Sequence, residues 1–68
     1  MSATHEIEYK GRTIKITVSM TTGSKQIGTF IVPGTDPLVR GTGADSDNAD
    51  TALNNAHKKA MEMIDKLP

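Results

Sequence analysis

The sequence predicts an α+β fold in which a three-stranded antiparallel β-meander is followed by one C-terminal α-helix packed on one face (β-β-β-α). Apolar and polar residues alternate along the first half of the chain, as they do in half-buried strands. Glycine-containing turns separate these runs, and the last third has apolar residues at helical spacing. The predicted elements are strands at about residues 4–9, 12–20 and 26–32, a loop at 33–46 and a helix at about 47–66.

The first two strands are predicted to form a hairpin with a two-residue turn that contains Gly11. Glycine adopts the positive φ that such turns require. A turn at this position places Ile7 opposite Ile14 and Glu6 opposite Lys15. Apolar residues then face apolar residues, and opposite charges face each other, so the pattern and the register agree.

The third strand has two possible orientations. A four-residue loop before it would pair Val18 with Ile27 and turn Ile27 and Ile31 towards the core. A loop one residue shorter or longer would place Phe30 and Val32 there instead. A slip of one residue exchanges the two faces of a strand, so the sequence leaves both orientations open. In either case, apolar side chains remain on the other face.

The segment 33–46 contains two prolines and three glycines and shows no sustained period, which favours a loop. Leu38 and Val39 could form a very short strand or fill a gap in the core. A connection of this length is long, and long connections are either functional or mobile. The loop is therefore one place where a small ligand could bind.

The C-terminal helix is predicted to begin near residue 47, with Ser46 or Asp47 as its N-cap. Asp50 lies in the first turn, where carboxylates interact favourably with the helix N-terminus. One apolar stripe follows the spacing of three and four, and it consists of Ala49, Leu53, Ala56, Ala60, Met63, Ile64 and Leu67. We expect this face to cover the sheet, because small alanine side chains let a helix lie close to the strands.

Composition restricts the classes of function. The 68 residues are enough for one domain, which we expect to span residues 1–68, and acidic and basic residues balance at eight each. Nucleic-acid binding usually leaves a basic excess. The chain has no cysteine, which excludes disulfides and thiolate metal sites and fits a reducing cytoplasm. No long apolar run or secretory signal pattern is visible, so we expect a cytoplasmic protein without a membrane partner.

No pattern in the sequence predicts an enzyme. His5 and His57 lack the spacing of paired metal ligands, and the acidic segment 45–50 matches only the first two ligand positions of a calcium loop. The glycines at 41 and 43 do not form a phosphate-binding loop, and no catalytic triad pattern occurs. We therefore expect no catalytic residue, no metal ligand and no cofactor.

The chain resembles a group of small, stand-alone, uncharacterised bacterial β-β-β-α proteins. The resemblance rests on a Tyr-x-Gly turn and on an alanine-spaced helix that ends in Ile-Asp, with matching residues Tyr9, Gly11, Ile14, Ala52, Ala56, Ala60, Ile64 and Asp65. Met63 stands where members of this group often carry an aromatic residue. The helix also resembles that of HicB-type antitoxins, although no strand is predicted after it here. These resemblances imply a fold and no established activity.

The expected function is that of a protein-interaction or structural module, whose partner is an unknown protein or a second copy in a homodimer. A thin core, two sheet edges and leftover apolar side chains on the third strand favour this interpretation. The alternative is weak nucleic-acid binding through the sheet or the first hairpin, with Lys10, Arg12 and Lys15 as candidate residues. Arg12 has the opposite strand parity to Lys10 and Lys15, so nucleic acid is the less favoured partner. Small-ligand binding under the 33–46 loop is the second alternative.

Overall fold

The computed structural model describes residues 3–67 as a four-stranded antiparallel sheet with one α-helix on one face. The elements are β1 (Ala3–Tyr9), β2 (Arg12–Met20), β3 (Gln26–Val32), β4 (Val39–Thr42) and α1 (Ala49–Asp65). The strands lie in the order β1-β2-β3-β4. The predicted α+β class, the antiparallel sheet and the C-terminal helix are confirmed, whereas the predicted number of three strands is one too few.

The first hairpin has the predicted register. Lys10 and Gly11 both have positive φ, at 51° and 75°, which is the geometry of a type I′ turn. The twist of this turn matches the twist of the flanking strands, and it places Ile7 opposite Ile14. The turn and the hydrophobic pattern therefore specify the same pairing.

The orientation of β3 follows from the length of the second turn. Met20 pairs with Gln26, so the connection is one residue longer than a four-residue loop. This register buries Phe30 and Val32 on the helix side of the sheet and leaves Ile31 on the opposite face. The core therefore contains the aromatic side chain of Phe30, and Ile31 remains exposed.

The predicted loop at 33–46 is wrong in its middle, where β4 pairs with β3. Thr35 organises the connection: its buried hydroxyl donates to the Val32 carbonyl oxygen at 2.8 Å and accepts from the Val39 N–H at 2.7 Å. Val39 enters the core and Leu38 is exposed. The strand is four residues long, which is too short for alternation to predict it.

The helix begins later than predicted, and its cap is neither Ser46 nor Asp47. Asn48 is the N-cap, and its side-chain oxygen accepts from the backbone N–H groups of Asp50 and Thr51 at 2.7 and 3.3 Å. Ser46 has another role, because its backbone pairs with Gln26 next to the sheet. The strand-like pairing of residue 46 delays the helix.

The helix face that packs on the sheet also differs from the predicted stripe. The buried helix residues are Ala52, Ala56, Ala60 and Ile64. Ala49, which the predicted stripe included, is exposed, and Ala52, which it omitted, is fully buried. Leu53, Met63 and Leu67 are half-buried along the flanks of the stripe. The buried line is thus almost entirely alanine, as close helix–sheet packing requires.

Two glycines, Gly28 in β3 and Gly43 just after β4, meet these alanines. A Cβ atom on Gly28 would lie 2.8 Å from the Ala56 Cβ, and a Cβ atom on Gly43 would lie 2.5 Å from the Ala56 backbone nitrogen. The Gly43 N–H also donates to the Gly28 carbonyl oxygen at 2.9 Å, which extends the pairing beyond β4. The helix crosses β2, β3 and β4, whereas β1 pairs with β2 at the edge of the sheet.

We expect Gly43→Ala to lower the free energy of unfolding by about 1–3 kcal/mol, because the added methyl group would overlap backbone atoms that cannot rotate away. Thr42→Ala is the matched control: Thr42 is the neighbouring exposed residue, and its loss should cost less than about 1 kcal/mol. Urea unfolding measures both. Equal losses of unfolding free energy in the two variants would show that the helix does not pack as tightly as described.

Candidate functional site

The two edges of the sheet differ in how much of their backbone is covered by other parts of the molecule. At the β4 edge, the Lys59 ammonium donates to the Thr42 carbonyl oxygen at 3.1 Å, and the Asn55 amide donates to the Ala44 carbonyl oxygen at 3.1 Å. Both donors come from the helix, which lies close to this edge. Because β4 is also short, it offers little free backbone for another strand to pair with.

The β1 edge is longer and open. β1 has seven residues and pairs with β2 on one side, and within residues 3–67 no strand pairs with its other side. The strand contains no proline or glycine, so every residue keeps its N–H group and its preference for extended backbone. Edges of this kind present a row of free N–H and C=O groups.

The side chains of β1 give the edge two different faces. Glu6 and Glu8 project on the face of the sheet away from the helix, and neither forms a salt bridge within residues 3–67. On the helix side, a groove of about 370 Å³ runs between β1 and α1. His5, Val18 and Leu53 are among its lining residues, so its walls are partly apolar. The edge is therefore acidic on one face and partly apolar on the other.

The open face of the sheet carries two ordered rows of side chains, each with one residue from every strand. The first row consists of Thr4, Thr17, Thr29 and Thr42. The second row consists of Glu6, Lys15, Ile31 and Arg40. A shallow depression of about 570 Å³ lies over the β2–β4 part of these rows.

The structure does not bring the three predicted nucleic-acid residues together. Lys15 lies on the open face, whereas Arg12, like its partner Tyr9, lies on the face of the sheet that the helix packs against. Lys10 is in the hairpin turn and forms a salt bridge with Asp65. A single basic surface does not result.

Arg40 is the cation that the sequence did not indicate. It occupies the same row as Lys15, with the exposed Ile31 between them. The parity of Val39 and Arg40 would have placed Arg40 on the open face, but only if β4 had been recognised as a strand. The 33–46 segment therefore contributes to the open-face depression through Arg40 and Thr42.

Lys10, Tyr9 and Asp65 form a clasp between the first hairpin and the end of the helix. The Lys10 ammonium lies 2.5 Å from the Asp65 carboxylate, and the Tyr9 hydroxyl donates to both carboxylate oxygens at 2.9 and 3.2 Å. The hydrogen bond from Lys10, followed by that from Tyr9, holds the pKa of Asp65 below its ordinary value of 3.8. The hydrogen bond and the charge of Asp65 likewise raise the pKa of Lys10 above 10.5.

Within residues 3–67, no cluster of three or more histidine or acidic side chains is placed to hold a metal ion. In the same part of the chain, no helix has both the length and the apolar character needed to cross a membrane. Comparisons with known protein families, curated proteins and solved structures found no match. The resemblances to bacterial β-β-β-α proteins and to HicB-type antitoxins therefore stay predictions.

We expect Asp65→Asn to lower Tm at neutral pH, because it removes the charge that Lys10 pairs with. The stabilisation by Asp65 is present above its unfolded pKa of 3.8 and is lost as the pH falls through its lower folded pKa. The stabilisation by Lys10 is present below 10.5 and is lost as the pH rises through its higher folded pKa. The difference in Tm between the two proteins should therefore shrink at both pH extremes.

Thermal unfolding followed by circular dichroism across this pH range measures the effect. Glu62→Gln is the control, because Glu62 is an exposed helix carboxylate that forms no salt bridge within residues 3–67. A Tm difference between wild type and Asp65→Asn that stayed constant into strong acid would contradict the clasp.

Proposed function

We propose that this protein is an interaction module that binds a strand of a partner protein along the open edge of β1. The observation that carries the proposal is the asymmetry of the two edges. β4 is short and its carbonyl side is covered by helix side chains, whereas β1 is seven residues long and, among the described residues 3–67, pairs with a strand on one side only. Proteins usually protect the sheet edges that they do not use. Strand addition at an exposed edge is a common mode of peptide recognition.

The side chains of β1 specify the kind of strand that fits. A partner strand with lysine or arginine at alternate positions would place these residues opposite Glu6 and Glu8. The molecule already contains one such pairing, since β2 places Lys15 opposite Glu6. On the helix side, apolar residues of the partner strand would lie next to Ile7 and could extend towards Leu53 in the groove. The proposed ligand is therefore an extended segment that alternates basic and apolar residues.

The same charges argue against a second copy as the main partner. In the fully overlapped antiparallel pairing of two β1 strands, Glu6 of one chain faces Glu6 of the other. A shift of two residues towards the C-terminus places Glu6 opposite Glu8. Like charges directly opposite each other destabilise a sheet. A homodimer that pairs through β1 thus requires the opposite shift, which pairs His5 with His5 and shortens the overlap.

Other features are compatible with a protein partner in the cytoplasm. The chain has no cysteine, as is usual for proteins of reducing compartments, and its formal net charge is zero. A net charge of zero gives no long-range attraction for nucleic acid. The separation of Lys10, Arg12 and Lys15 over different surfaces also favours protein over nucleic acid.

We expect a short peptide that alternates lysine and valine to bind the protein and to shift the backbone amide signals of residues 4–8. A matched peptide that alternates glutamate and valine should leave the amide signals of residues 4–8 unchanged, since its acidic side chains would face Glu6 and Glu8. Titration of ¹⁵N-labelled protein followed by NMR measures this binding. Slower amide hydrogen exchange in β1 with the bound peptide would indicate backbone pairing.

The double variant Glu6→Lys, Glu8→Lys should reverse the preference, with the affinity for the lysine peptide falling at least about tenfold, which corresponds to about 1.4 kcal/mol. Glu62→Lys is the control for a change of charge on the distant helix surface. The proposal fails if the double variant keeps its preference for the lysine peptide, or if the shifted signals lie away from β1. A homodimer that pairs through β1 at all working concentrations would also contradict the proposal.

A further inference from the structure

The centre of the open sheet face has an arrangement that the β1 edge does not explain. Ile31 lies between Lys15 and Arg40 on three neighbouring strands and is 37% exposed. Adjacent strands are about 4.8 Å apart, so the backbones of the two basic residues are separated by about 10 Å. An apolar side chain thus lies between two cations on the same surface.

Neither cation has a partner of opposite charge in the described structure. The salt bridges within residues 3–67 involve Lys10 and Lys25, not Lys15 or Arg40. Lys15 has Glu6 as its cross-strand neighbour without forming a salt bridge, and Arg40 is on the far side of Ile31. The depression over these residues, at about 570 Å³, is within the size range of ligand-binding pockets.

We propose that this patch, formed by Lys15, Ile31 and Arg40, is a second binding site, which takes an acidic segment of a partner protein. The segment carries an apolar side chain between carboxylates. The apolar side chain packs on Ile31, and the carboxylates pair with the two cations. The hydroxyls of Thr29 and Thr42 lie beside the patch and donate hydrogen bonds to the segment. This site does not depend on strand addition at β1.

The surroundings of the patch favour a protein segment over nucleic acid. Single-stranded nucleic acid is usually held by aromatic side chains on which bases stack, and none lies on this face. Phe30 is buried on the helix side, and Tyr9 points to the same side. Glu6 and Glu8 would also repel a phosphate backbone that continued across the sheet. An apolar floor between the cations suits a side chain better than a charged backbone.

The test uses a short peptide in which one leucine lies between two pairs of glutamates, together with a matched peptide that carries lysines instead. We expect the glutamate peptide to shift the Ile31 methyl signals and the Thr29 and Thr42 amide signals in NMR spectra of the wild-type protein. The lysine peptide should leave these signals unchanged. Lys15→Glu and Arg40→Glu should each weaken binding of the glutamate peptide at least about tenfold.

Lys58→Glu is the matched control, because Lys58 is an exposed cation on the helix, and it should leave binding within about twofold of wild type. Arg40→Gln is the second variant in case the charge reversal disturbs β4, and it should also weaken binding. The proposal is overturned if Lys58→Glu weakens binding as much as Arg40→Glu. It is also overturned if single-stranded or duplex DNA shifts the same signals at lower concentration than the glutamate peptide.

The outcome is independent of the proposed function at β1. The glutamate peptide reports on the open face, and the alternating lysine and valine peptide reports on β1, so either site can fail alone. A glutamate peptide that shifted only signals of residues 3–9 would refute the open-face site.

Discussion

The contact of Ala56 with Gly28 and Gly43 determines where the helix lies, and the remaining features of the molecule follow from that position. Both glycines present bare backbone to the helix, and one added carbon atom at either would overlap it. The helix is therefore held above β3 and the end of β4. A single helix is about 10 Å wide, which is about two strand spacings, so it cannot also cover the far edge of a four-stranded sheet.

This position explains why the two edges differ. Lys59 and Asn55 reach the carbonyl groups beside β4 because the helix lies close to that edge. No comparable helix residue caps the backbone of β1 within residues 3–67, and the clasp at Asp65 holds only the turn end of the first hairpin. The groove between β1 and α1 is the space left on the uncovered side. Close packing on one side of the sheet therefore produces an open edge on the other.

The sequence predicted those features that depend on neighbouring residues. The register of the first hairpin was predictable because a two-residue turn and the alternating pattern specify it together. The orientation of β3 could not be predicted, because a difference of one residue in the length of the preceding loop reverses it. The connection to β4 is organised by the buried hydrogen bonds of the Thr35 hydroxyl, which a hydrophobic pattern does not reveal. For the candidate sites, Lys15 was visible from strand parity. Arg40 could be predicted as a site residue only if β4 was recognised as a strand. The salt bridge that engages Lys10 could not be predicted, because Asp65 lies at the opposite end of the chain.

A net charge of zero gives an incomplete description of this surface. In the second row of the open face, Glu6 lies on β1 and Arg40 on β4, three strand spacings or about 14 Å away. The Debye length at physiological ionic strength is about 8 Å, so exposed charges at this separation are largely screened from each other. Arg40 can therefore act on a ligand independently of Glu6, whereas Lys15, which is directly opposite Glu6, lies within the range of its charge. Balanced composition argues against long-range attraction of a polyanion, but it does not exclude short-range recognition by charges that the fold has separated.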